Sequence, residues 1–154
     1  MDPLKKRERY ERLFEQLSGL MKKSPDPDAR MATIAAVLHH KMDYFFWTGF
    51  YFLKDGELTV KTYQGPLACQ VLEKNTGVCW AGLNSGKTLV VPDVHKFPGH
   101  IACDSRSNSE IVVPVAGPDG RILGVLDVDS ETLCSFDDVD AENLERIVRL
   151  IYSD

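Results

Sequence analysis

Two hairpin patterns restrict the fold of this 154-residue chain more than any other feature of its sequence. Aromatic and β-branched residues fill 44–53 and 57–63 on either side of an Asp-Gly turn, and the apolar runs 110–117 and 121–130 flank a Pro-Asp-Gly turn. Asp-Gly suits tight turns between strands, because such turns require positive φ angles. Strands joined in this way pair antiparallel, so the sequence predicts an antiparallel sheet.

Amphipathic helices are predicted at both ends of the chain, in residues 1–24 and 137–152, where apolar residues recur three and four positions apart. A second helix follows a break that contains two prolines, and Asp28 is its predicted N-cap. A shorter helix is expected between the glycines of 77–87. Pro114 lies inside the first strand of the second hairpin and predicts an edge or a bulge, because proline has no N–H to donate to a sheet.

The order of these elements predicts an α+β fold in which the N- and C-terminal helices pack on one face of a central antiparallel sheet. The chain has no repeat or linker-like segment, so we expect a single domain over residues 1–154. The apolar faces of the two terminal helices could pack on the sheet or form a homodimer interface.

The charge and composition argue against several classes of partner. The formal net charge is −5, and an acidic surface disfavours binding to nucleic acid or to an anionic membrane. No apolar run approaches the roughly 20 residues that span a bilayer, and the N-terminus is charged where a signal peptide would be apolar. We therefore expect a cytoplasmic protein whose cysteines are reduced thiols, metal ligands or redox-active groups rather than structural disulfides.

Three of the four cysteines, Cys69, Cys79 and Cys103, lie in or beside the irregular middle of the sequence, whereas Cys134 lies apart from them. Each could be a small buried hydrophobic residue. A zinc site is a second possibility, but structural zinc ligands usually come in pairs two to four residues apart. That pairing is missing, so we expect no metal. The third possibility is thiol redox chemistry, which needs a thiolate and a second cysteine that can form a disulfide with it.

Cys103 lies in the polar segment 98–110, which has neither a helical nor a strand period. An ordinary thiol has a pKa of about 8.5 and is mostly protonated at neutral pH. His100 and Arg106 would favour a thiolate at Cys103, whereas the adjacent Asp104 would oppose it. The sequence leaves the balance between these influences open.

Carboxylates and aromatic residues mark the predicted strands. Asp127 and Asp129 lie on the same face of one strand, and Glu110 begins its hairpin partner. The three carboxylates could form a solvated surface, or a site for a cation, an amine or a proton-donating acid. Trp47 and Tyr51, four residues apart, share a strand face and could be core residues or the wall of a pocket.

Several of these segments together resemble the free methionine-(R)-sulfoxide reductases, which are single-domain proteins of the GAF fold. The resemblance covers nearly the whole chain from the second helix onward and is most specific in HIACDSRSNSEIVVPV. Cys69, Cys79 and Cys103 match the three cysteines of the family. Trp80 stands where the family commonly has a small residue after its cysteine.

The resemblance implies a role for each cysteine. Cys103 would be the nucleophile that attacks free L-methionine-(R)-sulfoxide. Cys69 would resolve the resulting sulfenic acid by forming an intramolecular disulfide, and Cys79 would assist or help to bind the substrate. Thioredoxin would regenerate the dithiol, with no cofactor and no metal. The alternative is a non-catalytic GAF module that senses a small molecule or a redox signal.

The resemblance also implies a binding site for the rest of the substrate. Glu110, Asp127 and Asp129 would handle the amine and the sulfoxide oxygen. Of the three, Glu110 is favoured as the proton donor because it lies nearest Cys103 along the chain. Trp47 and Tyr51 would flank the methylsulfinyl group.

Overall fold

The structure is a computed structural model that describes residues 1–100 and 103–154, so Ile101 and Ala102 of the polar segment lie outside the described residues. The described ranges contain four α-helices and a six-stranded sheet. The helices are α1 (Pro3–Met21), α2 (Pro27–Lys41), α3 (Gly77–Ser85) and α4 (Asp138–Val148). The strands are β1 (Trp47–Lys54), β2 (Glu57–Gln64), β3 (Val71–Leu72), β4 (Leu89–Val91), β5 (Ser109–Ala116) and β6 (Ile122–Ser130).

The sheet contains both predicted hairpins. Its strand order is β3-β2-β1-β6-β5-β4, and every neighbouring pair is antiparallel. Asp55 and Gly56, in the first turn, have φ angles of 52° and 79°, as a tight hairpin turn requires. Strand β1 of the first hairpin pairs with strand β6 of the second. Both hairpins therefore contribute residues to the same faces of one sheet.

Pro114 lies on the part of β5 that β4 does not reach. The short strand β4 pairs only with residues 110–112 of β5. The register of β5 against β6 then shifts between Val115 and Ala116. The proline therefore occupies an open edge beside an irregularity, which fits the interpretation of its sequence position.

The two faces of the sheet carry different helices. A large apolar core forms where α1, α2 and α4 cover one face, and α3 covers part of the other. We call these the helical face and the α3 face. Leu126 and Val128 enter the helical face, while Asp127 and Asp129 alternate with them and point to the α3 face. The apolar sides of α1 and α4 are buried in this core, so a homodimer would use other surfaces.

The helix ends differ in detail from the sequence expectations. α1 and α4 are shorter than the predicted 1–24 and 137–152. The prediction of Asp28 as the cap of α2 is wrong, because the side chain of Asp26 accepts the Ala29 N–H at 3.0 Å. Pro27 then takes the first helical position, where a missing N–H has no cost. Asp28 instead pairs with Lys61 at 3.1 Å.

The first and last helices are joined by a buried ion pair. The ammonium of Lys6 lies 2.6 Å from Asp140, which is fully buried at the start of α4. Asp140 also accepts a hydrogen bond from the Tyr10 hydroxyl at 2.7 Å. These partners compensate the burial of both charges and fix α1 against α4. Across 1–100 and 103–154, no helix has the length and apolar character to cross a membrane.

Candidate active site

A pocket of about 70 Å³ opens on the α3 face, among β1, β5, β6 and α3. Such a volume holds a few water molecules. Its walls bring together residues that are far apart in the sequence. The site residues predicted above that line it directly are Trp47, Tyr51, Cys79, Cys103, Glu110, Asp127 and Asp129.

Cys69 reaches this pocket through a disulfide bond with Cys103. The two Cα atoms lie 5.6 Å apart although 34 positions separate them in the sequence. Cys79 is a buried free thiol on α3, and Cys134 is a free, exposed cysteine. The pair that forms the disulfide is therefore the pair that the family resemblance implies.

The charged neighbours of Cys103 are engaged with each other. The Arg106 guanidinium donates to both carboxylate oxygens of Asp104, at 3.0 and 2.7 Å. These hydrogen bonds lower the pKa of Asp104 to about 2. Arg106 and Asp104, which were expected to act in opposite directions on the Cys103 thiol, thus form one ion pair. His100 lines the pocket, and burial, followed by the charge of His95, lowers the pKa of its imidazole.

The three carboxyl groups form one cluster in which Glu110 and Asp127 are buried and Asp129 is half-buried, so the interpretation of a solvated surface is wrong. In the pairing of β5 with β6, Glu110 lies opposite Asp129, and Asp127 is two residues away on the same face. Glu110 and Asp127 are each only 6% exposed. Burial raises the pKa of all three groups, and the charges of Asp127 and Asp129 raise that of Glu110 further. The cluster therefore holds protons at pH values where exposed carboxylates have lost them.

One carboxylate oxygen of Asp127, Oδ1, is buried without a hydrogen-bond partner within residues 1–100 and 103–154. An unpaired buried acceptor is costly, and a charged one more so. A hydrogen-bond donor brought by a ligand would remove that cost.

Cys79 lies at the same point of the pocket as two of the carboxyl groups. Its sulfur and one oxygen each from Glu110 and Asp127 all lie within 4.8 Å of one another. These atoms are of the kinds that bind zinc. Burial, followed by the nearby carboxylate charges, raises the pKa of the Cys79 thiol. Protons therefore compete with a metal ion for all three ligands.

The aromatic wall of the pocket is built on β1. The rings of Trp47 and Tyr51 stack with centroids 5.8 Å apart, and Tyr63 of β2 also stacks on Trp47 at 5.3 Å. Gly49, between them on β1, is necessary for this arrangement. A Cβ atom there would lie 2.5 Å from the Trp47 ring and from Tyr63 Cβ. Trp47 and Tyr51 are thus core residues that also form the wall of the pocket, so both interpretations of their sequence positions are correct.

Trp80 does not line the pocket, although it follows Cys79. Its buried indole donates a hydrogen bond to the Leu72 carbonyl at 3.3 Å, which ties α3 to β3. Adjacent side chains on a helix point about 100° apart. A large residue at this position therefore fits beside the pocket without entering it.

Other pocket residues were not singled out from the sequence. They include Leu67, Thr76, Val78 and Ser107. Each lies within four positions of a cysteine that reaches the pocket. Proximity to Cys69, Cys79 or Cys103 was the signal available, but it does not distinguish residues that face the pocket from those that face solvent.

Comparisons with known proteins place this site in a family. The GAF domain family model matches residues 25–152. The free methionine-R-sulfoxide reductase of Escherichia coli (strain K12) is 37% identical over 145 residues, covering 94% of this chain and 87% of that protein. "GAF domain-containing protein A" of Dictyostelium discoideum is 46% identical over 147 residues, covering 95% of this chain and 92% of that protein.

A solved structure extends the similarity to three dimensions. It is the X-ray structure of the free methionine-R-sulfoxide reductase of Neisseria meningitidis in complex with its substrate. The two chains are 41% identical, with a TM-score of 0.88 over 93% of this chain and 86% of that one. Residues 25–152, which the family model matches, contain the whole sheet, helices α2 to α4 and the pocket, and the chain therefore belongs to the free methionine-R-sulfoxide reductase family of GAF-domain proteins.

Proposed function

We propose that the protein reduces free L-methionine-(R)-sulfoxide to L-methionine, with Cys103 as the nucleophile and Cys69 as the resolving cysteine. The observation that carries this proposal is that a Cys69–Cys103 disulfide borders a pocket lined by three clustered carboxyl groups with raised pKa values. Sulfoxide oxygen is a poor leaving group until it is protonated, so reduction needs a thiolate and an acid at one place. The names of the Escherichia coli and Neisseria meningitidis proteins support the same substrate.

The first chemical step transfers oxygen from the substrate to Cys103. The Cys103 thiolate attacks the sulfoxide sulfur while a carboxylic acid donates a proton to the sulfoxide oxygen. The attack forms an S–S bond between Cys103 and the substrate. The hydroxyl then passes from the substrate sulfur to the Cys103 sulfur as the S–O bond and this S–S bond break, so methionine leaves and Cys103 becomes a sulfenic acid. The substrate sulfur gains two electrons, and the cysteine sulfur loses two.

The second step closes the disulfide. The Cys69 thiolate attacks the sulfenic sulfur of Cys103, the S–S bond forms, and the hydroxyl group leaves as water after taking up a proton. A dithiol reductant of the thioredoxin type then reduces the disulfide by exchange. Cys103 is exposed and Cys69 is half-buried, so such a reductant has access to the bond. A reducing compartment such as the cytoplasm supplies it.

The carboxyl groups divide the remaining tasks according to their surroundings. Glu110 is buried beside two other acids that raise its pKa, so it is held protonated and is our choice for the proton donor. Burial also raises the pKa of Asp127, but hydrogen bonding with Glu110 and Cys79 opposes this effect. The unpaired Oδ1 of Asp127 can then accept a hydrogen bond from the substrate ammonium, and Asp129 lies beside Asp127. Trp47 and Tyr51 flank the methylsulfinyl group.

A coupled assay tests this function. The reduced protein is mixed with thioredoxin, thioredoxin reductase, NADPH and either epimer of free methionine sulfoxide. We expect NADPH consumption with the R epimer and little with the S epimer. Equal rates with both epimers, or none with either, would remove the proposal, and binding without turnover would indicate a GAF sensor module. N-acetylmethionine sulfoxide is the matched control, because it lacks the ammonium and should be a poor substrate.

A further inference from the structure

The segment that carries Cys69 has little regular structure of its own. Residues 65–69 follow β2 and belong to neither a helix nor a strand. Leu67, in the middle of the segment, is 83% exposed. A segment of this kind can take many conformations, and each conformation places the sulfur of Cys69 differently. Yet this sulfur must come within bonding distance of Cys103.

Two buried donors on β1 hold this segment. The Tyr51 hydroxyl donates a hydrogen bond to the backbone carbonyl of Cys69 at 2.8 Å. The Trp47 indole N–H donates to the carbonyl of Pro66 at 3.1 Å. Tyr51 and Trp47 are 3% and 5% exposed, and β1 is a central strand of the sheet. The donors therefore lie on a rigid element, whereas the segment that they hold belongs to no helix or strand.

We infer that Tyr51, helped by Trp47, is a positioning residue for Cys69 in addition to forming the pocket wall. Its hydroxyl fixes the Cys69 backbone where the sulfur can reach Cys103. The place of this role in turnover rests on the function proposed above. Disulfide closure itself, in which a Cys69 thiolate displaces hydroxide from a Cys103 sulfenic acid and water is released, does not depend on how the sulfenic acid arose.

The expected size of the effect follows from the loss of one hydrogen bond. Holding two reacting groups together raises their effective concentration. The net contribution of a neutral hydrogen bond corresponds to a factor of about 2 to 13 in an equilibrium constant. Tyr51→Phe keeps the ring and removes only the donor, so it should weaken disulfide formation by about that factor.

The experiment uses the full-length protein without methionine sulfoxide. In one arm, the Cys69–Cys103 disulfide is equilibrated with mixtures of reduced and oxidised glutathione. In the other arm, hydrogen peroxide converts the Cys103 thiolate to a sulfenic acid with loss of hydroxide. Disulfide closure then competes with trapping by dimedone, and mass spectrometry measures both products. The variants are Tyr51→Phe, Trp47→Phe and the control Tyr63→Phe, which removes a hydroxyl from another ring stacked on Trp47.

We expect Tyr51→Phe to lower the glutathione equilibrium constant and to increase the dimedone adduct, while Tyr63→Phe behaves as wild type. Wild-type behaviour of Tyr51→Phe in both arms would overturn the inference, and so would equal effects of Tyr51→Phe and Tyr63→Phe. If Tyr51→Phe does not fold, Trp47→Phe decides by the same two readouts. A protein inactive on methionine sulfoxide that still shows the Tyr51 effect would contradict the proposed function and leave this inference standing.

Discussion

At the scale of single residues, the pocket places chemically similar side chains in different surroundings. Glu110, Asp127 and Asp129 are three carboxyl groups on one face of two strands, but only Asp127 combines an unpaired buried oxygen with hydrogen bonding that favours its charge. Glu110 has burial and two neighbouring acids acting in the same direction on its pKa. Their effects on catalysis should therefore differ in kind.

The carboxyl variants should separate proton donation from binding. We expect Glu110→Gln to lower kcat by more than about a hundredfold, because a general acid contributes roughly 10²–10⁴ in rate. Asp127→Asn should mainly raise KM, by about 10- to 150-fold, since it removes a charged hydrogen bond to the ammonium. Steady-state kinetics with the R epimer measures both constants. Near-normal kcat and KM in both variants would show that the pocket chemistry lies elsewhere.

The cysteine variants should separate the two chemical steps. Cys103→Ser should abolish methionine release in a single turnover, whereas Cys69→Ser should release one equivalent and then fail to recycle with thioredoxin. Cys134→Ser is the control, because Cys134 is exposed and outside the pocket, and its rate should stay within about twofold of wild type. A stoichiometric burst of methionine from Cys103→Ser would mean that another group is the nucleophile.

At the scale of elements, local sequence signals predicted the hairpins and helices but not what covers them. The Asp-Gly turn is read locally, so the β1–β2 hairpin could be predicted. The strand period also placed Asp127 and Asp129 on one face. Whether that face is exposed to solvent depends on α3, which packs against β5 and β6. These contacts join segments far apart in the sequence, so no local pattern predicts them. The disulfide partner of Cys103, 34 positions away, was accessible only through the family resemblance.

Two glycines in different elements should respond oppositely to alanine. At Gly49 in β1, a Cβ would lie 2.5 Å from Trp47 and Tyr63, so Gly49→Ala should destabilise the fold by about 1–3 kcal/mol. At Gly19 in α1, a Cβ would meet no atom within 4 Å, so Gly19→Ala should stabilise it by up to about 1 kcal/mol. Urea unfolding measures both changes. Equal free energies of unfolding for Gly49→Ala and wild type would mean that the stacked aromatic wall moves without cost.

At the scale of the whole molecule, the pocket should make stability depend on pH. The pKa values of Glu110, Asp127 and Asp129 are raised in the folded protein, so folding favours their protonated forms. Their contribution is fully present below about pH 4, where the unfolded groups are also protonated, and is lost as pH rises through the folded pKa values.

The triple variant Glu110→Gln, Asp127→Asn, Asp129→Asn should isolate this effect. We compare the free energy of unfolding of the variant with that of wild type at each pH. The variant's value minus the wild-type value should be larger at pH 8 than at pH 4 by more than about 1.4 kcal/mol, which corresponds to a pKa difference of one. Both proteins are compared with the disulfide formed, by urea unfolding across the pH range. A difference that does not change with pH would show that the cluster is not held protonated in the fold.

The Cys69–Cys103 bond joins positions 34 apart in the sequence and closes a loop that contains β3, α3 and β4. Closing a loop of this length lowers the entropy of the unfolded chain by the equivalent of about 4 kcal/mol at room temperature. In a protein of this size, that corresponds to a rise of about 8–16 °C in Tm. During turnover the molecule would therefore alternate between a heat-resistant and a heat-sensitive form. A melting curve recorded in cells would then report what fraction of the enzyme carries the Cys69–Cys103 disulfide and has not yet been reduced.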